Sequence, residues 1–316
     1  MKKLIFDNGD ELDTIGLGTW KSDPGEVGKA VEVALESGYH HIDCAAIYGN
    51  EAEIGEAFTQ SFKDSSVNRD DIWVTSKLWN NAHQKEDVIP ALKKTLNDLN
   101  LDYLDLYLMH WPVAFQPEID TFPEHDAGFK PLEEVPVIET WEAMLEAKSQ
   151  NLVKHVGVSN FSAKKLNDLI SKTDHPPEMN QVELHPFLQQ ADLLEFCRSQ
   201  NIHVTAYSPL GSGDRSAAFK ADDEPSLLDN EVINDLADTH DATPAQILIA
   251  WSVNRGTAVI PKSTNPGRIK ENLASAEIEL SDEEMNTISQ LDDHYRFIDA
   301  SFFETEGNSY ENIFDD

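Results

Sequence analysis

The chain is poor in cysteine, in basic residues and in long apolar runs, and each shortage closes off a class of protein. Two cysteines, Cys44 and Cys197, stand among 316 residues. They lie far apart without metal-ligand spacing, and two thiols make no disulfide framework for a chain this long. Both read as reduced thiols of a reducing compartment. Lysine and arginine total 24 against 58 acidic residues, a formal net charge of −34. So acidic a surface repels phosphate backbones and anionic lipid, and neither nucleic acid nor membrane is expected as a partner. The charge reads either as a solubilising coat or as adaptation to high salt, where screening relieves self-repulsion. No run approaches the ~18 apolar residues of a membrane helix, and the two N-terminal lysines have no apolar stretch behind them. A cytoplasmic protein is expected. The phosphate-binding turn of an open doubly wound sheet is missing too. Gly16-Leu17-Gly18 is followed by Lys21 where the Gly-x-Gly-x-x-Gly pattern wants glycine, and no helix pattern opens there.

What is present is an ordinary globular composition, 40% hydrophobic and 26% charged. The length suits one barrel, which takes roughly 250 residues. An N-terminal hairpin is signalled by Leu4-Ile5-Phe6, a turn at Asp7-Asn8-Gly9-Asp10, and Glu11-Leu12. Asn-Gly there predicts a tight primed turn. Beyond it, strands are expected near Ile15–Gly18, His41–Asp43, Ile72–Ser76, Leu104–His110, His155–Ser159, Asn180–Glu183, His203–Tyr207 and Ala258–Pro261. Helical spacing separates them: Val27, Ala30, Val31, Ala34 and Leu35, then Ile89, Leu92, Leu96 and Leu99. Further helices fit Trp141–Ser149, Ala163–Ile170, Gln190–Ser199, Glu231–Thr239 and Pro244–Val253. Eight strand–helix units predict an α/β fold, a (β/α)8 TIM barrel with an N-terminal β-hairpin, as one domain over residues 1–316. Trp111–Ile138, Gly211–Asp229 and the tail from Tyr295 to Asp316 are too long for plain connections. The first two follow strands four and seven, so they belong to the C-terminal face, where barrels place their active sites.

Polar residues at the C-terminal ends of the strands carry the chemistry. Strand two ends in Asp43, strand three runs into Lys77, strand four ends in His110, and Tyr48 follows Asp43 in the same rim loop. Each alone is commonly a cap, a solvated amine, a rim histidine or a packed aromatic. Neighbouring strands lie roughly 5 Å apart, so jointly they converge on one pocket. A glycosidase would want two rim carboxylates. Glu183 is a candidate, but Asp43 is better matched to Lys77. A metal site at His40-His41-x-Asp43 is disfavoured because adjacent strand residues point to opposite faces.

These blocks resemble the aldo-keto reductase family over nearly the whole chain. They are Gly18-Thr19-Trp20, His41-Ile42-Asp43-Cys44-Ala45 with Tyr48-Gly49-Asn50-Glu51, Ser76-Lys77-Leu78-Trp79, and Leu106 to Pro112. Gly157-Val158-Ser159-Asn160-Phe161, Asn180-Gln181-Val182-Glu183, Tyr207 to Gly211 and Ile260-Pro261-Lys262-Ser263 complete the set. The nearest likeness is to the aldose, aldehyde and xylose reductase branch, with Trp20, Trp79, Trp111 and Phe122 at its pocket-lining positions. The resemblance implies NADPH-dependent reduction of aldehydes or aldoses, with NADH as the weaker alternative cofactor. Tyr48 is then the proton donor, Lys77 the cation that lowers its pKa, Asp43 the partner of Lys77, and His110 the residue that orients the carbonyl oxygen. The tail 295–316 is expected to shape the substrate pocket. A non-enzymatic relative on the same fold would be favoured by loss of one of these four, and all four are present.

For the cofactor, the resemblance implies Thr19 and Trp20 beside it, Ser159, Asn160 and Gln181 on the carboxamide, and Tyr207 stacked on the nicotinamide. Ser208, Leu210, Ser212 and Asp214 belong to a loop closing over the pyrophosphate, and Glu271 and Asn272 reach the adenine. Around Lys262, Ser263, Thr264 and Arg268 the sequence also speaks directly. Asn265 caps and Pro266 opens a helix whose N-terminus attracts anions, flanked by two cations in a chain with few. That predicts a clamp on the 2′-phosphate carried by NADPH alone. The expected partner is a small-molecule carbonyl compound, with no metal, and the chain is expected to be a monomer, a dimer being the alternative.

Overall fold

A computed structural model describes residues 1–64, 67–215, 220–221, 223–305 and 313–315. Strand β1 (Lys3–Ile5) pairs antiparallel with β2 (Glu11–Asp13), setting Leu4 opposite Leu12. The turn between them differs from the primed turn expected. The Gly9 amide donates to the Phe6 carbonyl at 2.8 Å and the Phe6 amide to the Asp10 carbonyl at 2.9 Å. Gly9 has φ of 90°, whereas Asn8 does not take positive φ. This is a three-residue loop ending in a glycine bulge, which needs one left-handed residue where a primed turn needs two. Asn8 instead accepts from the Asp10 amide at 3.0 Å.

The barrel strands are β3 (Leu17–Gly18), β4 (His41–Asp43), β5 (Trp73–Leu78) and β6 (Leu104–Met109). After a small antiparallel pair, β7 (Ala114–Phe115) and β8 (Phe129–Lys130), come β9 (Val153–Ser159), β10 (Met179–Glu183), β11 (His203–Tyr207) and β12 (Ala258–Val259). The eight barrel strands are parallel neighbours in chain order. Parallel bridges join Ile15 to Val259 and Gly18 to Lys262, so first and last strands meet and the barrel closes. The seam explains the glycines that mimic a nucleotide-binding turn. A Cβ on Gly16 would lie 2.5 Å from the His41 ring, and one on Gly18 would lie 2.6 Å from the Ile260 carbonyl oxygen. These glycines let backbones approach at the closing edge, a steric need unrelated to phosphate.

The surrounding helices are α1 (Val27–Glu36), α2 (Glu51–Lys63), α3 (Lys85–Asp98), α4 (Val137–Ser149), α5 (Ala163–Ile170) and α6 (Ala191–Ser199). They continue with α7 (Glu231–Thr239), α8 (Pro244–Asn254), α9 (Pro266–Ala274) and α10 (Asp282–Ser289). Their apolar stripes meet the outward strand residues in one large core around Val31, Ile42, Phe58, Val74, Leu92, Trp141 and Trp251. The hairpin plugs the N-terminal end of the barrel: Leu4, Phe6 and Leu12 pack with Trp73, Leu106, Leu108, Met179 and Ala258. The other end is therefore the open one, and it carries the long loops.

Candidate active site

The rim loop after β4 starts at Cys44, whose amide donates to the Thr75 carbonyl at 2.8 Å. A short 3-10 turn at Ala46–Tyr48 follows, closed by Gly49 at φ 67°. The turn presents Tyr48 over β5. Lys77 rises from that strand and is 1% exposed, as is Asp43. An ammonium has three donors, and all three have acceptors here. They are Asp43 Oδ1 at 2.5 Å, the Cys44 carbonyl at 2.8 Å and, more weakly, the Tyr48 oxygen at 3.5 Å. The phenol oxygen accepts, so its own proton is directed away from Lys77. Asp43 Oδ2 accepts from Gln181 Nε2 at 2.7 Å, a bond that spans the barrel from β4 to β10. His110 stands edge-on to Tyr48, with ring centres 6.1 Å apart, and to Trp79, 5.3 Å apart. The four predicted residues are thus brought together.

Strand order alone predicts that Lys77 lowers the Tyr48 pKa, but burial pushes the phenol up and outweighs the pull of Lys77, with Asp43 adding to the rise. Much of the ammonium's charge is engaged by Asp43. Tyr48 therefore holds its proton at neutral pH. For Lys77, burial pulls down, but the Asp43 carboxylate and its hydrogen bond prevail and the net shift is upward. Burial, then Lys77 and His83, carry the His110 ring well below its usual range, so it is a neutral imidazole. Its Nδ1 is buried without a hydrogen-bond partner among the described residues, as is Trp79 Nε1.

Aromatic rings wall the space above Tyr48 and His110. Trp79 meets Phe122 at 5.6 Å, and Trp111 meets Phe302 at 5.6 Å and Phe303 at 5.1 Å. Phe122 also packs on Phe302 at 4.9 Å. Trp20 and Phe122 stay 38% and 42% exposed, which leaves the wall open to a ligand. The loop 111–138, too long for a plain connection, contains the β7–β8 pair that backs this wall through Phe115 and Phe129. The tail joins it through Phe302, Phe303 and Phe314. Tail residues 306–312 and 316 lie outside the described residues, as do 216–219 and 222 of the expected closing loop.

Several of the residues expected at the cofactor are bonded to one another or to Asp43 and His110. Asn160, with φ of 64°, donates from Nδ2 to the His110 carbonyl at 2.9 Å and accepts the Tyr207 hydroxyl at 2.7 Å. It is no helix cap: Ser162 caps α5, accepting from the Lys165 amide at 3.1 Å. Ser159 Oγ donates to the Gln181 carbonyl at 2.8 Å. Thr19 donates to the Asp43 carbonyl at 2.8 Å, and Asn50 to the Thr19 carbonyl at 2.9 Å. Ser208 and Ser212 share a 2.7 Å hydrogen bond, and Leu210 is half-buried. Asp214 lies 3.7 Å from Lys21 and 3.8 Å from Lys262. At α9, Asn265 Oδ1 accepts from the amides of Gly267 and Arg268. Ser263 and Asn272 are buried, Thr264 is half-buried, and Glu271 and Arg268 are exposed.

This arrangement fits a phosphate-bearing dinucleotide. Lys21 Nζ is buried with no hydrogen bond among the described residues, and burial carries its pKa down to about 8 against the pull of Asp214. No carboxylate among the described residues pairs with Arg268. In a chain of net charge −34, the buried ammonium of Lys21 and the exposed guanidinium of Arg268 suit an anion. Lys21 and Asn50 were not assigned a role from the sequence, though Asn50 lies inside a quoted motif. Glu183 is accounted for differently from a hydrolytic carboxylate. It accepts from the Phe297 and Ile298 amides at 2.7 and 2.9 Å and so fastens the start of the tail.

A sequence model described as the Aldo/keto reductase family matches residues 14–293. An aldo/keto reductase of Synechocystis sp. is 52% identical over all of this chain and 97% of its own length. The human aldo-keto reductase family 1 member A1 is 46% identical, covering 93% of this chain and 90% of that protein. Among solved structures, a Bombyx mori aldo-keto reductase in complex with NADP superposes with a TM-score of 0.85. It is 34% identical and covers 95% of each chain.

Proposed function

Because the chain belongs to the aldo/keto reductase family, we propose that it reduces the carbonyl of aldehydes or aldose sugars to an alcohol with NADPH, Tyr48 giving the proton. The observation that carries this reading is the buried ammonium of Lys77, whose three donors are engaged by Asp43, the Cys44 carbonyl and the Tyr48 oxygen. A substrate oxygen above Tyr48 receives that hydroxyl's proton, and the neutral His110 ring gives it a second polar contact. NADPH, when bound, would supply the hydride for the carbonyl carbon. As negative charge grows on the oxygen, Tyr48 passes its proton over, and Lys77 stabilises the phenolate left behind. Asp43 and Gln181 hold Lys77 in register. The apolar walls of Trp20, Trp79, Trp111, Phe122, Phe302 and Phe303 exclude water and favour aldehydes with apolar or aromatic bodies.

Asn160, Ser159, Gln181 and Tyr207 would hold the nicotinamide end, Lys21 and Asp214 would flank the pyrophosphate, and Lys262 and Arg268 the 2′-phosphate. NADP bound to the Bombyx mori relative supports that choice. The whole chain is taken as one barrel domain, its tail part of the substrate pocket. Arg268 makes the cleanest test. A charge-assisted hydrogen bond contributes roughly 1.5–3 kcal/mol, so Arg268→Ala should weaken NADPH binding about 10- to 100-fold. NADH binding, measured in parallel by quenching of tryptophan fluorescence, should hardly change. Equal loss for both cofactors would remove Arg268 from the 2′-phosphate site.

A further inference from the structure

Tyr48 reaches the reaction on a loop, and loops place side chains less firmly than strands do. Three consecutive residues of β5 hold this one. At its start, the Cys44 amide donates to the Thr75 carbonyl, and Lys77 donates to the Cys44 carbonyl. At its end stands Glu51, first residue of α2 and 4% exposed. Its Oε1 accepts from Ser76 Oγ at 2.5 Å, and its Oε2 from Thr95 Oγ1 of α3 at 3.0 Å. No cation forms an ion pair with this carboxylate among the described residues. Burial carries its pKa up to about 7, against the two hydroxyl bonds and the more distant Lys94, with Asp98 adding to the rise. A bare buried carboxyl is costly, and an apolar residue would serve the core better. A negative charge at the start of α2 would serve the helix equally well from solvent.

We propose that Glu51 is a positioning residue for the reaction, tying the end of the Tyr48 loop to the strand that carries Lys77. The inference rests on the reading of Tyr48 and Lys77 above. The two bonds of Glu51 have different consequences. The bond to Ser76 joins the loop to the residue next to Lys77, whereas the bond to Thr95 joins α2 to α3, away from the reacting groups.

The test compares Glu51→Ala, Ser76→Ala and Thr95→Val with the parent chain. The readouts are the single-turnover rate of aldehyde reduction with NADPH bound, NADPH affinity and thermal stability. Because small displacements of a reacting group can cost on the order of 100-fold, Glu51→Ala and Ser76→Ala should slow the turnover step by about 10- to 100-fold with NADPH affinity unchanged. Thr95→Val should lose stability and keep the parental rate. Glu51→Gln, which keeps an acceptor of the same size, should recover most of the rate. A Ser76→Ala variant as fast as the parent, or rates that simply follow stability across all variants, overturns the inference even if Glu51→Ala does not fold. A parent chain that reduces no aldehyde instead overturns the reading of the site, and this inference with it.

Discussion

Replacing Tyr48 with phenylalanine is expected to abolish aldehyde reduction while leaving NADPH binding close to that of the parent. The substitution replaces the hydroxyl with hydrogen on a half-buried ring that otherwise keeps its shape and its edge contact with His110. A positioned general acid contributes about 10²–10⁴-fold to rate. Burial holds the Tyr48 phenol above its ordinary range, so the hydroxyl is protonated across the neutral region and acts as donor. His110, a neutral imidazole, can still contact the carbonyl oxygen but leaves it without the proton of Tyr48. Single-turnover kinetics with an aromatic aldehyde, beside fluorescence titration with NADPH, separate chemistry from binding. Turnover surviving at the parental rate would assign the proton to another group.

Replacing Lys77 with methionine should cost both activity and stability. The ammonium is buried and bonded to a carboxylate that is itself 1% exposed. Removing it leaves Asp43 with the Gln181 amide as its remaining side-chain donor. Breaking a buried pair from one side typically costs about 3–5 kcal/mol, because the surviving charge has lost its compensation. At roughly 2–4 °C per kcal/mol for large domains, the melting temperature should fall by about 6–20 °C. The double variant Lys77→Met with Asp43→Asn removes the stranded charge and should regain much of that stability. It should not regain activity, since the phenolate of Tyr48 would still lack a cation. Stability and turnover recovering together would mean that the pair serves the fold alone.

Much of this was legible in the sequence because the barrel repeats one rule. Short β-branched runs such as His155–Ser159 and His203–Tyr207 mark strands, and the residue at each strand end marks the rim. That rule brought Asp43, Lys77 and His110 together without any contact being visible. It could not find Glu51, since nothing in Glu51-Ala52-Glu53 tells a buried carboxyl from an exposed one. Its partners Ser76 and Thr95 come from elements met only after α2 docks. The direction of the Tyr48 shift is hidden for the same reason: a neighbouring cation can be read from strand order, but the burial that outweighs it cannot. The hairpin turn failed on a single dihedral, because Asn8-Gly9 suits both a primed turn and a glycine bulge. Glu183 illustrates the reverse case. A rim carboxylate fit for chemistry by position instead fastens the tail backbone, which has no recognisable pattern of its own.

The most direct test of the central claim is to give the purified chain NADPH and a small aromatic aldehyde. The loss of reduced-cofactor absorbance is then followed together with the alcohol formed. The expected result is loss that depends on the aldehyde, alcohol appearing in equal amount, and slower loss when NADH replaces NADPH. Tight NADPH binding with no alcohol from aromatic aldehydes, aldoses or uronic-type sugars would contradict the assignment of this site to carbonyl reduction.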